Sequence, residues 1–366
     1  MTATALTPVT LLTGYLGSGK TTLLNRVLRD PAFADCAVLV NEFGAVPIDH
    51  LLVRESSENI VVMANGCVCC SVAGDLVQAL RDLYFKRAAG EIPAFRRAVI
   101  ETTGLADPAP ILHTLIEMPV VAARYALSGV VTTVDAAYGM ATLDRHRESV
   151  KQVAVADRIV ITKTDLAGEV DIAILEARLA KLNPGAAILR AANGGVDAAK
   201  LFDTGLYRVD GGKPDVVRWL GVDQNRGQSP FAETLIPVPG INRQTGSDPR
   251  HDERIRTFVW TDDRPLPEGA LEEAFDMLLT LRGEQVLRVK GLVNIEGSDA
   301  PIAIHAVQHS FYPPARLARW PDADRRSRIV FIVEGLDEAF VAHTLDSFIA
   351  DARKNLAMAG RAPVRT

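Results

Sequence analysis

The residues whose types and spacing best define a chemistry lie in one segment, Gly14-Tyr-Leu-Gly-Ser-Gly-Lys20-Thr21, between an apolar run and a helical pattern. It matches G-x-x-x-x-G-K-[ST] in full, and this context is the one that the motif requires. Glycines let backbone N–H groups surround a phosphate, the lysine neutralises phosphate charge, and the hydroxyl can bind Mg²⁺. We therefore predict that a nucleoside triphosphate is bound by these residues: Gly14, Gly17, Ser18, Gly19, Lys20, Thr21 and Thr22.

A carboxylate follows a second apolar run, in Val99-Ile-Glu101-Thr-Thr-Gly104. An acid at the end of a buried strand is typical of the residue that reaches Mg²⁺ beside a phosphate loop. We predict that Thr21 and Glu101 hold Mg²⁺, that Lys20, Thr21 and Glu101 are catalytic, and that Gly104 lets its loop approach a γ-phosphate. The alternative is a solvated acid that only ends a strand.

A third strand end, Thr162-Lys163-Thr-Asp165, resembles the base-reading loop of GTPases, with Thr162 where asparagine is usual. The Asp165 carboxylate can accept parallel hydrogen bonds from guanine N1–H and the N2 amine. The stem of Lys163 can lie along the base. We predict from these three residues that the nucleotide is GTP.

Three cysteines, Cys67, Cys69 and Cys70, lie between a predicted strand and a predicted helix. Amides at a helix N-terminus lower thiol pKa values and favour thiolates, which are ligands for a soft cation. Three sulfurs leave four-coordinate Zn²⁺ one ligand short, and Glu42, His113 or a client's side chain could supply it. The alternatives are a redox pair with the C-x-x-C spacing of Cys67 and Cys70, or inert thiols.

The remaining candidate ligands carry less information. Cys36 is isolated and is predicted to be a small buried residue. His305 and His309 lie in Ile302–Phe311, which we predict to be one strand, and residues four apart on a strand are ~13 Å apart. We therefore predict that each is a satisfied or surface histidine rather than half of a shared metal site.

The first two hundred residues or so alternate short apolar runs with helical patterns, which favours a doubly wound, mainly parallel sheet. The predicted strands are Val9–Thr13, Ala37–Val40, Ile60–Met63, Ala98–Ile100, Gly129–Val134, Arg158–Ile161 and Ala187–Leu189. The predicted helices are Thr21–Arg29, Ser71–Ala88, Pro108–Glu117, Ala141–Ala156 and Val170–Lys181. Ligands of such a sheet bind outside the carboxyl ends of its strands.

Residues 210–252 are rich in Gly, Pro, Asp, Gln and Asn, and we predict a linker or mobile loop there. It would separate a P-loop domain, residues 1–209, from a smaller α+β domain, residues 253–366. The elements predicted for the second domain are strands at Ile255–Trp260, Val286–Ile295, Ile302–Phe311 and Arg328–Val333, and helices at Leu271–Leu281 and Leu336–Arg353.

Composition narrows the class of protein. The 366 residues are 48% hydrophobic, enough for sizeable cores, and the net charge of −5 makes a nucleic-acid or anionic-membrane partner a poor fit. No uncharged apolar run reaches the length of a membrane helix, and we see no signal peptide. Four cysteines in a chain this long do not indicate a disulfide scaffold. We expect a soluble, cytoplasmic protein.

Taken in order, these segments resemble the CobW-like metal-chaperone GTPases, relatives of the hydrogenase- and urease-maturation GTPases. The resemblance rests on Gly14–Thr21, Asn41–Gly44, Gly66–Cys70, Glu101–Pro108 and Thr162–Asp165. It extends to that family's C-terminal domain through Val289–Leu292, His305–His309 and Ser327–Ile332.

The resemblance implies a GTP hydrolase that binds Zn²⁺, or a similar metal such as Co²⁺, at Cys67, Cys69 and Cys70. Among the candidates for the fourth ligand we predict Glu42. The resemblance also implies delivery of that metal to a client metalloprotein. The sequence leaves the oligomeric state undecided between a monomer and a homodimer. Two other interpretations stay open. One is a nucleotide-gated scaffold that activates a metalloenzyme without carrying metal. The other is an ATP-dependent redox or transfer enzyme.

Overall fold

The computed structural model describes residues 6–33, 35–41, 61–64, 72–192, 195–202, 254–321 and 323–359. Backbone contacts divide these residues into two units, one up to residue 202 and one from residue 254. The predicted boundaries at 209 and 252, and the predicted linker 210–252, lie outside the described residues.

The first unit is built on a sheet of seven strands, all paired in parallel. They are β1 (Thr7–Gly14), β2 (Cys36–Asn41), β3 (Val61–Ala64), β4 (Arg97–Thr102), β5 (Tyr125–Asp135), β6 (Arg158–Thr162) and β7 (Ala187–Ala191). Their order is β3-β2-β4-β1-β5-β6-β7. Every residue of β1 and β5 is buried, as expected of central strands covered on both faces. The predicted doubly wound parallel sheet is confirmed.

Seven of the described helices lie between these strands: α1 (Lys20–Leu28), α2 (Val72–Ala89), α3 (Ala109–Glu117), α4 (Pro119–Ala122), α5 (Gly139–Arg145), α6 (Arg147–Ala154) and α7 (Glu169–Leu182). A short helix, α8 (Ala198–Leu201), follows β7. The buried face of α1, with Leu23, Leu24 and Val27, packs in one cluster with sheet residues that include Val38 and Val99. This packing fixes the start of α1, and therefore the phosphate loop, against the centre of the sheet.

The prediction of one helix over Ala141–Ala156 is wrong. His146 has an extended backbone (φ −126°, ψ 108°), so α5 ends at Arg145 and α6 begins at Arg147. The His146 ring stacks on Tyr15 with ring centroids 4.4 Å apart. The apolar spacing is compatible with a continuous helix, and it does not reveal this tertiary contact.

The second unit is an antiparallel sheet with helices, which confirms the predicted α+β domain. Its strands are β8 (Ile255–Asp262), β9 (Val286–Val293), β10 (Ile302–Val307), β11 (Ser310–Phe311), β12 (Ala315–Arg316) and β13 (Ser327–Glu334), in the order β11-β10-β9-β13-β8, with β12 beside β10. Helices α9 (Ala270–Arg282) and α10 (Glu338–Ala359) share one apolar core with the sheet. Phe331 stacks on both Phe258 and Phe275 in that core.

The prediction of one strand over Ile302–Phe311 is also wrong, because a turn at Gln308 (φ 48°) and His309 separates β10 from β11. His309 Nδ1 lies 2.8 Å from the carbonyl oxygen of Leu279, in the last turn of α9. A Cβ on Gly283 would approach this ring to 2.2 Å. Thus His309 satisfies a carbonyl at a helix end. His305 is buried and stacks on Tyr312, with ring centroids 4.0 Å apart.

Cys36 begins β2 and is fully buried, as predicted. Burial disfavours the charged thiolate and raises the pKa of this thiol to about 12, although the Arg97 guanidinium offsets part of that rise. A buried thiol with a raised pKa stays protonated at physiological pH, which disfavours both nucleophilic attack and metal binding by Cys36.

The buried state of Cys36 can be tested in a variant with Cys67, Cys69 and Cys70 all changed to serine, which leaves Cys36 as the single thiol of the chain. We expect Ellman's reagent at pH 8 to label no thiol in the folded protein and one thiol per chain in urea. An exposed thiol ionises near its ordinary pKa of 9.0, whereas burial keeps Cys36 protonated up to about pH 12. The free energy of unfolding should therefore fall as the pH rises from about 9 towards 12. Adding Cys36→Ala gives the reagent blank. Rapid labelling of one thiol per folded chain would contradict the buried placement.

Candidate nucleotide and metal site

The phosphate loop runs from the end of β1 to the start of α1, and its glycines have conformations that other residues rarely adopt. Gly17 (φ 71°) and Gly19 (φ 88°) are left-handed. Gly14 is crowded as well, because a Cβ there would lie 2.3 Å from Thr133 Oγ1 on β5. The neighbouring Ser18 hydroxyl bonds the same Thr133 oxygen at 2.6 Å. The loop is therefore shaped by its glycines and fixed to the central sheet.

Lys20 is nearly buried, and its ammonium lies inside the curve of the loop. Nζ donates to the carbonyl oxygens of Gly14, at 2.9 Å, and Tyr15, at 3.3 Å. Thr22 follows on α1 with an exposed side chain. A buried ammonium costs free energy unless it is paired, so these carbonyl contacts keep the charge next to the place where a phosphate would be received.

Thr21 and Glu101 meet across the β1–β4 pair. The Thr21 hydroxyl donates to Glu101 Oε1 at 2.7 Å, and Glu101 is only 3% exposed. Leu12 on β1 is the register partner of Glu101 on β4, so the sheet brings the acid beside the phosphate loop. A hydroxyl and a carboxylate oxygen held together are the hard oxygen ligands that Mg²⁺ prefers. The donor set therefore fits this cation.

Gly104 lies directly against the phosphate loop. A Cβ there would come within 2.4 Å of the backbone nitrogen of Leu16 and 2.6 Å of its Cα. Any other residue would push the segment after β4 away from the loop, so glycine is required by the close approach of two backbones.

The segment predicted to read the base is bonded to the phosphate loop. Thr162 Oγ1 donates to the carbonyl oxygen of Ser18 at 2.7 Å, and Lys163 Nζ donates to that of Gly17 at 2.7 Å. Lys163 has a left-handed backbone (φ 55°), an uncommon conformation that is often found at functional sites. Asp165 lies in the following short turn with its side chain exposed. Thr162 and Lys163 therefore lie at the rim of the phosphate loop, and Asp165 follows them two residues later in the chain.

Sequence reasoning missed Asp135, which ends β5 in the same region. Its Oδ1 accepts hydrogen bonds from the backbone N–H groups of Ala137 and Tyr138, and its Oδ2 accepts one from Lys163 Nζ at 2.6 Å. A usable signal was present, because Asp135 follows the apolar run at 129–134 as Glu101 follows its own strand. Asp135 orients Lys163, and Thr133 on the same strand anchors the loop.

The predicted zinc ligands Cys67, Cys69, Cys70 and Glu42 lie outside the described residues. His113, the other candidate, is described and lies on α3 with an exposed side chain. Within the described ranges, no group of three or more His, Cys, Asp or Glu side chains could hold a metal ion. None of the helices in those ranges is long and apolar enough to cross a membrane.

Comparison with known proteins is consistent with this geometry. A family profile described as "CobW/HypB/UreG, nucleotide-binding domain" matches residues 8–190, and a profile described as "Cobalamin synthesis protein cobW C-terminal domain" matches residues 255–349. Zinc chaperone YjiA from Escherichia coli (strain K12) is 34% identical over 324 residues, which are 88% of this chain and 93% of that protein. Zinc chaperone CobW from Pseudomonas aeruginosa is 29% identical over 370 residues, 94% of this chain and 92% of that protein.

The fold agrees with the sequence comparison. The crystal structure of Zn(II)-bound YjiA GTPase from E. coli matches with a TM-score of 0.66 at 28% identity, covering 94% of this chain and 99% of that one. The similarity thus spans both the phosphate-loop unit and the antiparallel unit, in sequence and in fold. The chain therefore belongs to the CobW/HypB/UreG family, with its CobW-type C-terminal domain.

Proposed function

We propose that this protein is a metal-regulated GTPase that binds zinc, or a similar transition metal such as Co²⁺, and transfers it to a client metalloprotein in a step that depends on GTP hydrolysis. The observation that carries the GTPase assignment is the 2.7 Å hydrogen bond from the Thr21 hydroxyl to Glu101. Thr21 directly follows the buried Lys20 in the sequence. The metal assignment is supported by relatives that are named zinc chaperones. We place this activity in the cytoplasm, where closely spaced thiols stay reduced.

The phosphate end of the site is formed by groups that are already positioned. Thr21 and Glu101 would hold Mg²⁺, which when bound neutralises charge on the β- and γ-phosphate oxygens. The Lys20 ammonium exchanges the carbonyl oxygens of Gly14 and Tyr15 for phosphate oxygens, and the N-terminus of α1 adds a favourable dipole. These groups act mainly by electrostatic stabilisation, because phosphoryl transfer needs little covalent help from a protein.

The base end of the site reads guanine through Asp165. Lys163 Nζ is held by Asp135 Oδ2 and by the Gly17 carbonyl oxygen, and we propose that the aliphatic stem of Lys163 packs along the purine ring. The Asp165 carboxylate then accepts hydrogen bonds from N1–H and the N2 amine, donors that adenine does not present.

The zinc site is proposed at Cys67, Cys69 and Cys70, with Glu42 as the fourth ligand, and zinc is the cargo. The strand register supports coupling of this site to GTP. Val40 on β2 pairs both with Ala64 on β3 and with Glu101 on β4. The described part of β2 ends at Asn41 and that of β3 at Ala64, and both ends lie at the sheet edge where Glu101 meets Thr21. In the sequence, Glu42 directly follows Asn41, and Cys67 is three residues after Ala64.

Lys20→Ala tests the phosphate end. We expect GTP hydrolysis to fall about 100-fold or more, because a preorganised positive group of this kind contributes at least that much to a transition state. Steady-state phosphate release measures it. Lys200→Ala is the matched control, since Lys200 is an exposed lysine of the same unit. Hydrolysis that persists in Lys20→Ala, with a circular dichroism spectrum like that of the wild type, would mean that this loop is not the catalytic one.

Asp165→Asn tests the base end. An amide oxygen can still accept from N1–H, but the amide NH2 then faces the guanine N2 amine, which also donates. We therefore expect the preference to move from GTP towards xanthosine triphosphate, which has a carbonyl acceptor in place of that amine. Competition binding against a fluorescent GTP analogue measures the change, with ATP as a third competitor. Wild-type protein that binds ATP as tightly as GTP would remove the assignment of Asp165 to guanine.

Coupling between metal and nucleotide is tested by measuring Zn²⁺ affinity with a GTP–Mg²⁺ analogue, with GDP and without nucleotide. If one ordered state favours both ligands, GTP must tighten zinc binding and zinc must tighten GTP by the same factor, about 5–150-fold for a typical coupling. Cys69→Ser with Cys70→Ser should remove tight zinc binding and this factor, while nucleotide affinity without metal stays nearly unchanged.

Cys36→Ala is the control for that experiment, because Cys36 is buried in the sheet and should leave both affinities as they are. Equal zinc affinities in the three nucleotide states would contradict the switch and leave two independent sites. Zinc binding that survives loss of both Cys69 and Cys70 would remove the cysteine assignment.

A further inference from the structure

Helix α6 contacts the segment after β4 that carries Gly104. Gln152, on α6, is completely buried. Its Nε2 donates to the carbonyl oxygens of Gly104, at 3.2 Å, and Ala106, at 3.0 Å. The Gln152 backbone carbonyl in turn accepts a hydrogen bond from Thr132 Oγ1 on β5 at 2.7 Å. Gln152 therefore links this segment to the central sheet: its side chain bonds two backbone carbonyls of the segment, and its own backbone carbonyl is bonded by β5.

The preceding residue, Lys151, holds the next part of the same segment. Its ammonium lies 2.7 Å from Asp107 Oδ2, with Lys151 18% and Asp107 35% exposed. The other carboxylate oxygen of Asp107 accepts from the backbone N–H of Ala109, at the start of α3. Consecutive residues of α6 thus hold residues 104–107 from end to end.

Helix α6 also reaches the phosphate loop. It begins directly after His146, whose ring stacks on Tyr15, and the Tyr15 carbonyl accepts a hydrogen bond from Lys20 Nζ. Gly104 itself lies against Leu16 in that loop. The phosphate loop and the segment after Glu101 are therefore both contacted by α6 together with His146, the residue that directly precedes it.

We infer that Gln152 and Lys151 are positioning residues for GTP hydrolysis, which fix residues 104–107 against the phosphate loop without touching the nucleotide. The inference rests on the proposed GTPase function. The groups that bind phosphate belong to the loop at 14–21, so loss of the support from α6 should slow the chemical step and leave nucleotide affinity in place. Small displacements of a catalytic segment are costly, since about 1 Å can lower a rate 100-fold.

Gln152→Met tests the buried contact, because methionine keeps the length of the side chain and removes the amide donor. We expect kcat for GTP to fall about 10-fold or more, with the Kd of GDP and of a non-hydrolysable GTP analogue within about 2-fold of wild type. Measurements are made well below the melting temperature of the variant. A loss of thermal stability with an unchanged kcat would show a purely structural role and overturn the inference for Gln152.

Lys151→Met keeps the test decisive if Gln152→Met does not fold, since Lys151 is only partly buried. We expect kcat to fall about 3-fold at constant Kd, and Lys151→Arg to restore it. Arg178→Met is the matched control. Its ion pair with Asp144, at 2.8 Å, joins α7 to α5 and does not touch residues 104–107, so kcat should stay at the wild-type value.

Comparing the wild type with Lys20→Ala distinguishes failure of the proposed GTPase function from failure of the positioning role of Gln152 and Lys151. If the wild type hydrolyses GTP no faster than Lys20→Ala, the proposed function itself fails. If the wild type is active and both Gln152→Met and Lys151→Met keep its kcat, the positioning role alone fails.

Discussion

A carboxylate buried at the end of a central strand is the constraint on which the rest of the nucleotide site depends. Glu101 is almost inaccessible to solvent, and burying an ionised acid is costly unless it is hydrogen-bonded. The Thr21 hydroxyl supplies that bond only because β1 and β4 are neighbours and α1 starts directly after the phosphate loop. The order of the strands, the glycine conformations and the start of α1 all serve to keep these two side chains together.

The other polar groups at this edge of the sheet satisfy one another in the same way. The ammonium of Lys163 lies between Asp135 and the Gly17 carbonyl, and Thr162 donates to the Ser18 carbonyl. The bonds to Gly17 and Ser18 join the end of β6 to the phosphate loop, Asp135 ties that end to β5, and Thr133 on β5 bonds Ser18 directly. Such a site is preorganised, and little reorganisation is needed when charge develops on a phosphate.

Much of this arrangement is predictable from the sequence, because the decisive signals are local. The phosphate-loop glycines, Glu101 and Thr162–Asp165 each stand at the end of an apolar run, and parallel strands bring such ends to one edge. Contacts between distant segments are not local. Asp135 gives the same strand-end signal as Glu101, but that signal does not show which lysine the acid will meet. At the helix break, the His146 ring stacks on Tyr15. At the turn after β10, His309, next to Gln308, bonds the Leu279 carbonyl in the last turn of α9.

The bonds from Thr162 and Lys163 to the phosphate loop also bear on how a nucleotide leaves. Because both residues donate to carbonyl oxygens of the loop, the segment predicted to read the base is joined by two hydrogen bonds to the loop predicted to hold the phosphates. We expect GDP to dissociate in a single opening event, without a long-lived intermediate in which the base is free and the phosphates are still held. A partner that displaced residues 162–163 would then break their hydrogen bonds to Gly17 and Ser18 and so disturb the phosphate loop as well.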